Sequence, residues 1–325
     1  MIPGETVVCR ASPSLALIKY WGKQENGNNI PATTSLAVNI DRFLSETLVR
    51  INPHKKDEIW VNGEKENHPR YLNYFNNLRK KLKVPFFFHA VSFNNFPTAA
   101  GLASSSSGFA ALTCACVRAS GKQIPTAEIS ALARVGSASA ARSVFGGFVI
   151  LRAGATSAEQ IYPADYWPNL RLIIAAVADK PKPISSRSAM ERVRATSPFY
   201  PNWVRASNEI ADRALAALKL KDLRELGMAM RSSYLKMFAT MFAADPPIIY
   251  WLPKSLEIIR FCEDLRQEGL EVWETMDAGP QVKIVCLEKD IRSIVKKIKN
   301  KIKGIKIFSV QPGGEPFILG SKYGN

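Results

Sequence analysis

The chain has 325 residues, 46% of them hydrophobic and 22% charged, the profile of a folded protein with one large or two ordinary domains. No run approaches the ~20 apolar residues of a membrane span, the start MIPGETVVCRASP lacks the basic and apolar parts of a secretory leader, and five scattered cysteines suit reduced cytoplasmic thiols rather than a disulfide framework. The formal charge of +16, from 44 basic and 28 acidic residues, suits a polyanionic partner: nucleic acid, anionic membrane or a phosphorylated small molecule.

The first half reads mainly as strands. Residues 6–10, 15–20, 36–40 and 46–51 carry the short apolar, β-branched runs of strands. Residues 58–61 followed by Asn62-Gly63 predict a hairpin, because Asn-Gly suits the positive φ angles of a tight turn. A helix is expected over 69–82 and an aromatic strand over 85–93. Helices follow at the apolar run after Ser107 and over 126–134, with buried strands at 147–151 and 172–178. Cys114 and Cys116 are no metal pair, since residues two apart on a helix point away from each other. Beyond 181–186 helices dominate: 188–196, 202–219, 223–242 and 253–268. The closing order is strand 272–276, strand 282–287, helix 290–301 and strand 305–309, an α+β sandwich. A division near residue 182 therefore separates domains 1–182 and 183–325. In the last helix Ile294, Ile298 and Ile302 define one apolar face among lysines, which suits a surface helix packed on a sheet. Aromatics interleaved with arginine, which nucleic acid would require, are missing.

Residues 94–112, NNFPTAAGLASSSSGFAAL, have the make-up of an anion-binding loop opening a helix. Gly101 and the neighbouring alanines allow close backbone approach. The free N–H groups of the helix start favour phosphate, and serine hydroxyls can bond phosphate or a metal-bound water. The segment is not a Walker A loop, which ends in Gly-Lys-Ser/Thr.

Histidine catalysis is disfavoured, because His54, His68 and His89 have neither zinc spacing nor a nucleophile-elbow partner. Three other segments carry candidate chemistry. In residues 11–24, ASPSLALIKYWGKQ, Lys19 and Lys23 would share a strand face and grip a phosphorylated substrate; they also suit surface lysines beside a packed Trp21. In residues 135–148, VGSASAARSVFGGF, Arg142 can fork onto a carboxylate or phosphate, while the small residues equally suit tight helix packing. In residues 274–282, ETMDAGPQV, Asp277 stands at a strand end beside a glycine, a catalytic position and also a common turn position.

IKYWGK, NNFPTAAGLASS, the GSxSAxR run with its GGF, and DAGP occur here in one order, together with IWVNGE at 59–64 and SSRSAM at 185–190. Spread over residues 11–282, they resemble the mevalonate diphosphate decarboxylases of the GHMP kinase superfamily. The resemblance implies an α+β GHMP kinase fold. Its N-terminal half would be ribosomal-protein-S5-domain-2-like and its C-terminal half ferredoxin-like, around a deep cleft. It implies an ATP- and Mg²⁺-dependent enzyme that phosphorylates the 3-hydroxyl of mevalonate 5-diphosphate, then expels phosphate and CO₂ to give isopentenyl diphosphate. Related activities are decarboxylation of mevalonate 5-phosphate or the 3,5-bisphosphate, and small-molecule phosphorylation alone.

By the same resemblance Asp277, Lys19 and Arg142 are catalytic. Tyr20, Lys23, Ser137, Ser139, Arg142, Arg187 and Met190 bind substrate. Trp60, Asn62, Asn94, Gly101, Ala103, Ser104, Ser105, Ser106 and Ser186 bind the nucleotide, and Ser105 meets the metal. The expected partner is a small phosphorylated substrate rather than nucleic acid or membrane, and the expected assembly a cytoplasmic homodimer. Three departures stand out. GSASAAR replaces the family's GSGSACR, with Ala138 and Ala141 keeping the run small; Met276 replaces a phenylalanine; and Gln281 replaces an asparagine. The last two are expected in the pocket wall.

Overall fold

The computed structural model describes residues 5–25, 29–96, 104–178 and 182–323. The first lobe begins with β1 (Glu5–Ala11), β2 (Ser14–Ile18), β3 (Ser35–Asn39), β4 (Ser45–Asn52), β5 (Glu58–Val61) and β6 (Glu64–Lys65). Then come α1 (Pro69–Leu82), β7 (Phe87–Asn94), α2 (Ser104–Ala119), α3 (Thr126–Gly136), a 3₁₀ segment (Ala138–Val144), β8 (Phe148–Leu151) and β9 (Glu159–Tyr162). The remainder is β10 (Leu170–Ala176), α4 (Ser186–Thr196), α5 (Tyr200–Leu220), α6 (Leu223–Phe242), α7 (Pro253–Gln267), β11 (Trp273–Met276), β12 (Val282–Leu287), α8 (Glu288–Lys301), β13 (Lys306–Val310) and β14 (Phe317–Tyr323).

Three sheets organise these elements. The first runs β14-β1-β4-β7-β5-β6, the second β2-β3-β8-β9 and the third β11-β12-β10-β13. The first buries Val49, Ile59, Phe88 and Ala90 against Phe75, Leu78 and Phe109 of α1 and α2. The second packs Leu15, Leu36, Val38 and Phe148 against Ile210, Ala214 and Met230 of α5 and α6. The third covers its other face with Met190, Ile258, Cys262, Ile294 and Ile298 of α4, α7 and α8. The middle sheet and α6 therefore sit between the lobes, which places the end of β2 beside the end of β11.

Local chemistry explains several boundaries. His68 caps α1, its Nδ1 accepting from the Arg70 N–H at 3.1 Å, and Pro69 follows at a position that needs no N–H donor. Lys83 ends α1 in the left-handed conformation. Asp222 caps α6 by accepting from Glu225 N–H. In α8, Ile294 and Ile298 are fully buried and Ile302 nearly so, as the period-four pattern predicts.

The α+β class and most elements match expectation; four features differ. The strand expected over 15–20 ends at Ile18, so Lys19 and Lys23 are not on one strand face. The 3₁₀ segment, β9 and β14 are additional. β10 lies before the expected division near residue 182, yet bonds β12 and β13 on its two edges. β14 returns from the far C-terminus to pair with β1.

Candidate active site

The segment after β2 is held from several sides. Lys19 N–H donates to Ser233 Oγ of α6 at 3.0 Å, Trp21 N–H to Thr33 Oγ1 at 3.1 Å, and Trp203 Nε1 to the Trp21 carbonyl at 2.7 Å. Gly22 has φ +129°, and a Cβ there would lie 2.3 Å from Tyr200 Oη. Only glycine lets the chain turn so close to that ring. These contacts aim the Lys19 side chain inward, where it is 1% exposed.

Lys19 Nζ donates to Asp277 Oδ1 at 2.9 Å and to the Ala16 carbonyl at 2.6 Å. Lys283 Nζ, from β12, stands 3.0 Å from Asp277 Oδ2. Burial would push the Asp277 carboxyl up; Lys19 and Lys283 outweigh it and hold the group well below the usual carboxylate range. Asp277 still opens 32% of its side chain to the cleft. Burial brings Lys19 down to about 8, opposed by Asp277 and reinforced by Lys283 and Arg142.

Arg142 of the 3₁₀ segment is buried, bonds Ser35 Oγ through Nη1 and leaves Nε without a hydrogen-bond partner among the described residues. Burial lowers its pKa to about 10, with Asp277 and Tyr20 acting in the opposite direction. The Tyr20 hydroxyl is likewise buried and unpartnered among the described residues. Buried donors left without a partner call for an explanation, and an anionic ligand bound beside them is one. Lys23 is brought to about 8 by burial and by neighbouring Arg187, whose field also reaches Tyr20 and Arg70. Lys23, Arg187 and Arg70 thus form a second cationic group, and Arg187 links it to Tyr20, which also feels Arg142 and Arg134. Met190 is buried in α4 and packs in the same cluster as Trp21.

The serines divide by direction. Ser105 is exposed and its Oγ lies 3.4 Å from Ser137 Oγ, which lies 3.1 Å from Ser139 Oγ. Ser104 is half-buried at the start of α2. Ser106, expected to face the nucleotide, is instead fully buried. Its hydroxyl meets Ser14 Oγ at 3.0 Å, Ser143 Oγ at 2.6 Å and the Ser139 carbonyl at 3.1 Å. The reason is helical: it faces the core side of α2, where Ser107 also meets Ser45 Oγ at 2.6 Å. Gly101 and Ala103 lie outside the described residues.

Trp60, Asn62 and Asn94 come together at the ends of β5 and β7, where Asn94 N–H donates to Asn62 Oδ1 at 3.0 Å. Ser186 accepts from Lys182 Nζ at 2.5 Å; the same ammonium donates to the Ala278 carbonyl at 2.7 Å. Burial brings Lys182 to about 8, with Asp277 opposing and Lys283 adding. Met276 and Gln281, expected in the pocket wall, are interior. Met276 is fully buried in β11. The Gln281 amide accepts from Val177 N–H at 2.5 Å and donates to the Ala178 carbonyl at 2.6 Å, tying the turn to the end of β10.

Lys283, Lys182 and Arg70 join the site without having been singled out from the sequence. A signal existed for one: Lys283 is the lone charge in the strand VKIVCL. Lys182 and Arg70 sit in ordinary polar surroundings and carry none.

Two family models match: the diphosphomevalonate decarboxylase-like N-terminal domain over residues 11–162 and the mevalonate 5-diphosphate decarboxylase C-terminal domain over 172–312. A diphosphomevalonate decarboxylase of Candida albicans is 33% identical, over 84% of this chain and 82% of that protein. One from Aspergillus fumigatus is 36% identical, over 89% and 78%. Among solved structures, the Staphylococcus aureus mevalonate diphosphate decarboxylase has a TM-score of 0.90 at 32% identity, covering 97% of this chain and 98% of its own. A structure described as MDDEF in complex with MVAPP, AMPPCP and magnesium has a TM-score of 0.91 at 33% identity, covering 97% and 99%. With both lobes matched and Lys19, Arg142 and Asp277 of the ordered motifs brought together, the chain belongs to the mevalonate 5-diphosphate decarboxylase family.

Proposed function

We propose that this protein uses ATP to phosphorylate the 3-hydroxyl of mevalonate 5-diphosphate and then releases phosphate and CO₂, leaving isopentenyl diphosphate. The observation that carries this reading is the meeting of Asp277, Lys19 and Arg142, from three distant segments, around one partly exposed carboxylate. Asp277 accepts the hydrogen bond of the tertiary hydroxyl and orients it, acting as the acceptor or relay for its proton. Lys19, with two of its three N–H groups used by Ala16 and Asp277, offers the third to the transferring phosphoryl group. Arg142, with an unused Nε, forks onto the substrate carboxylate and fixes the bond that breaks. Tyr20, Lys23 and Arg187 hold the 5-diphosphate, with Ser137, Ser139 and Met190 lining the pocket.

Trp60, Asn62 and Asn94 are read as the adenine side. Ser104, Ser105 and Ser186 are read as the phosphate side. ATP with Mg²⁺ supplies the phosphoryl group that turns a poor leaving group into a good one. Among the described residues no group of three or more His, Cys, Asp or Glu could hold a metal. Phosphate oxygens and the exposed Ser105 hydroxyl therefore suit Mg²⁺, an ion that needs few protein ligands.

Sheet membership supports a lobe boundary ahead of β10, between residues 162 and 170, with β14 returned to the first lobe. All five cysteines are free and four are buried, which supports a reducing cytoplasmic setting; a homodimer is our reading of the assembly. The function is tested with purified protein, mevalonate 5-diphosphate and ATP–Mg²⁺. CO₂ and ADP should appear in equal amounts, and mevalonate 5-phosphate and the 3,5-bisphosphate should give less CO₂. ADP without CO₂ would identify a kinase instead.

A further inference from the structure

Strand β12 reads VKIVCL and is buried along nearly its whole length. Val282, Ile284 and Cys286 face the α7 and α8 side, while Val285 faces the core shared with β2 and β3. Lys283 falls on that second face, paired in register with Ile174 on one side and Thr275 on the other. It is 2% exposed. A charge on an apolar strand face is a local conflict of the kind that marks functional positions, and burial of an ammonium is costly unless it is paired.

Its partner is Asp277 Oδ2 at 3.0 Å. That carboxylate already has a buried cation, Lys19, on Oδ1 at 2.9 Å. A second lysine is therefore more than neutralisation requires. The two ammonium groups, one per oxygen, leave the plane of the carboxylate with a single orientation. Each oxygen keeps a further lone pair, and with 32% of the Asp277 side chain exposed these are open to a ligand.

We propose that Lys283 is a positioning residue for phosphoryl transfer, holding the Oδ2 edge of Asp277 so that its remaining lone pairs meet the substrate hydroxyl and adding a fixed positive charge beneath the reacting phosphate. This rests on the decarboxylase reading above. The charged groups around the pair are Lys19 after β2, Arg142 from the 3₁₀ segment, Lys182 ahead of α4 and Lys283 itself. Four cations thus face one carboxylate, a surplus suited to a substrate bearing several negative charges.

Three variants test this: Lys283→Met, Lys283→Gln and Lys283→Arg. Turnover is assayed as CO₂ release, with thermal unfolding measured alongside. Met and Gln should lower kcat at least ~10-fold, within the range of a lost orienting contact, with KM for mevalonate 5-diphosphate changed less than about threefold. Loss of a like charge beside Lys19 raises that lysine's pKa, so the alkaline limb of the kcat profile should move to higher pH. Arg, which keeps charge and donors, should restore most of the rate. The proposal is overturned by Met and Gln variants with near-wild-type kcat and an unmoved limb. It is also overturned by equal losses in all three variants that track unfolding temperature, since that is a structural role. Wild-type protein that releases no CO₂ removes the decarboxylase reading itself, a result visible before any variant is compared.

Discussion

Asp277 is flanked by ammonium groups at 2.9 and 3.0 Å, an arrangement that keeps it ionised and makes its role one of orientation as much as basicity. Asp277→Asn should lower kcat at least ~10²-fold, the scale of a positioned acid–base group; a near-normal rate of CO₂ release removes it from that role. Lys19, Lys23 and Lys182 each lie at about 8. Below that pH they are charged and grip anions; as pH rises through it they become neutral. Hence kcat/KM for mevalonate 5-diphosphate should fall between pH 7 and 9, and a flat profile argues against these lysines as binders. The serines give a third contrast. Ser105→Ala should raise KM for ATP with little change in stability, whereas Ser106→Ala leaves buried partners unsatisfied and should cost about 1–3 kcal/mol in urea unfolding with KM for ATP little changed. Asp277, Lys19 and Arg142 were legible because each lies in a motif of unusual composition. Lys283 was not singled out, because its strand is short and its partner lies across a turn.

At the level of elements, β11 is pinned by one buried carboxylate. Glu274 is fully buried, accepts from Arg266 Nη1 at 2.7 Å and from the Tyr234 hydroxyl at 3.1 Å, and pairs with Arg231 at 3.1 Å. This network joins α6 and α7 to β11, the strand that leads into Asp277. Removing the charge takes from Arg266 its carboxylate partner and leaves Arg231 with Glu263, so Glu274→Gln should destabilise by about 3 kcal/mol in denaturant unfolding, the low end for a broken buried pair; a change within experimental error would show that Arg266 finds another partner. Helices with clear caps and apolar stripes, such as α1 and α6, were readable to within a few residues. The 3₁₀ segment was not, because a run of Ser and Ala has no strong propensity of its own. Its shape comes from packing: Ala138, Ala140 and Ala141 are buried, and nearby Gly136 admits the Phe109 ring where a Cβ would clash at 2.0 Å. β14 has Phe317, Ile318 and Leu319 exposed on an edge, so it lacks the alternation that marks a strand.

Across the whole molecule, the charge of +16 includes two cationic groups of the site, Lys19, Arg142, Lys182 and Lys283 around Asp277 and Lys23 with Arg187 beside Tyr20. Such a field draws in polyanions and weakens with salt. Raising ionic strength from about 20 to about 200 mM, where the Debye length shortens several-fold, should increase KM for mevalonate 5-diphosphate while leaving kcat nearly unchanged. An unchanged KM means the charge acts only at contact distance. The order of motifs, the helix periods and the excess of basic residues are local properties, and they were sufficient to recognise the family and most of its elements. Which lysines become buried, which serine turns inward, and which strands complete which sheet depend on tertiary contacts, such as that between Ser106 and Ser14, 92 positions apart. Lys19 meets Asp277 across 258 positions, and no local propensity encodes that distance; only the packing of the two lobes brings the carboxylate between its two cations.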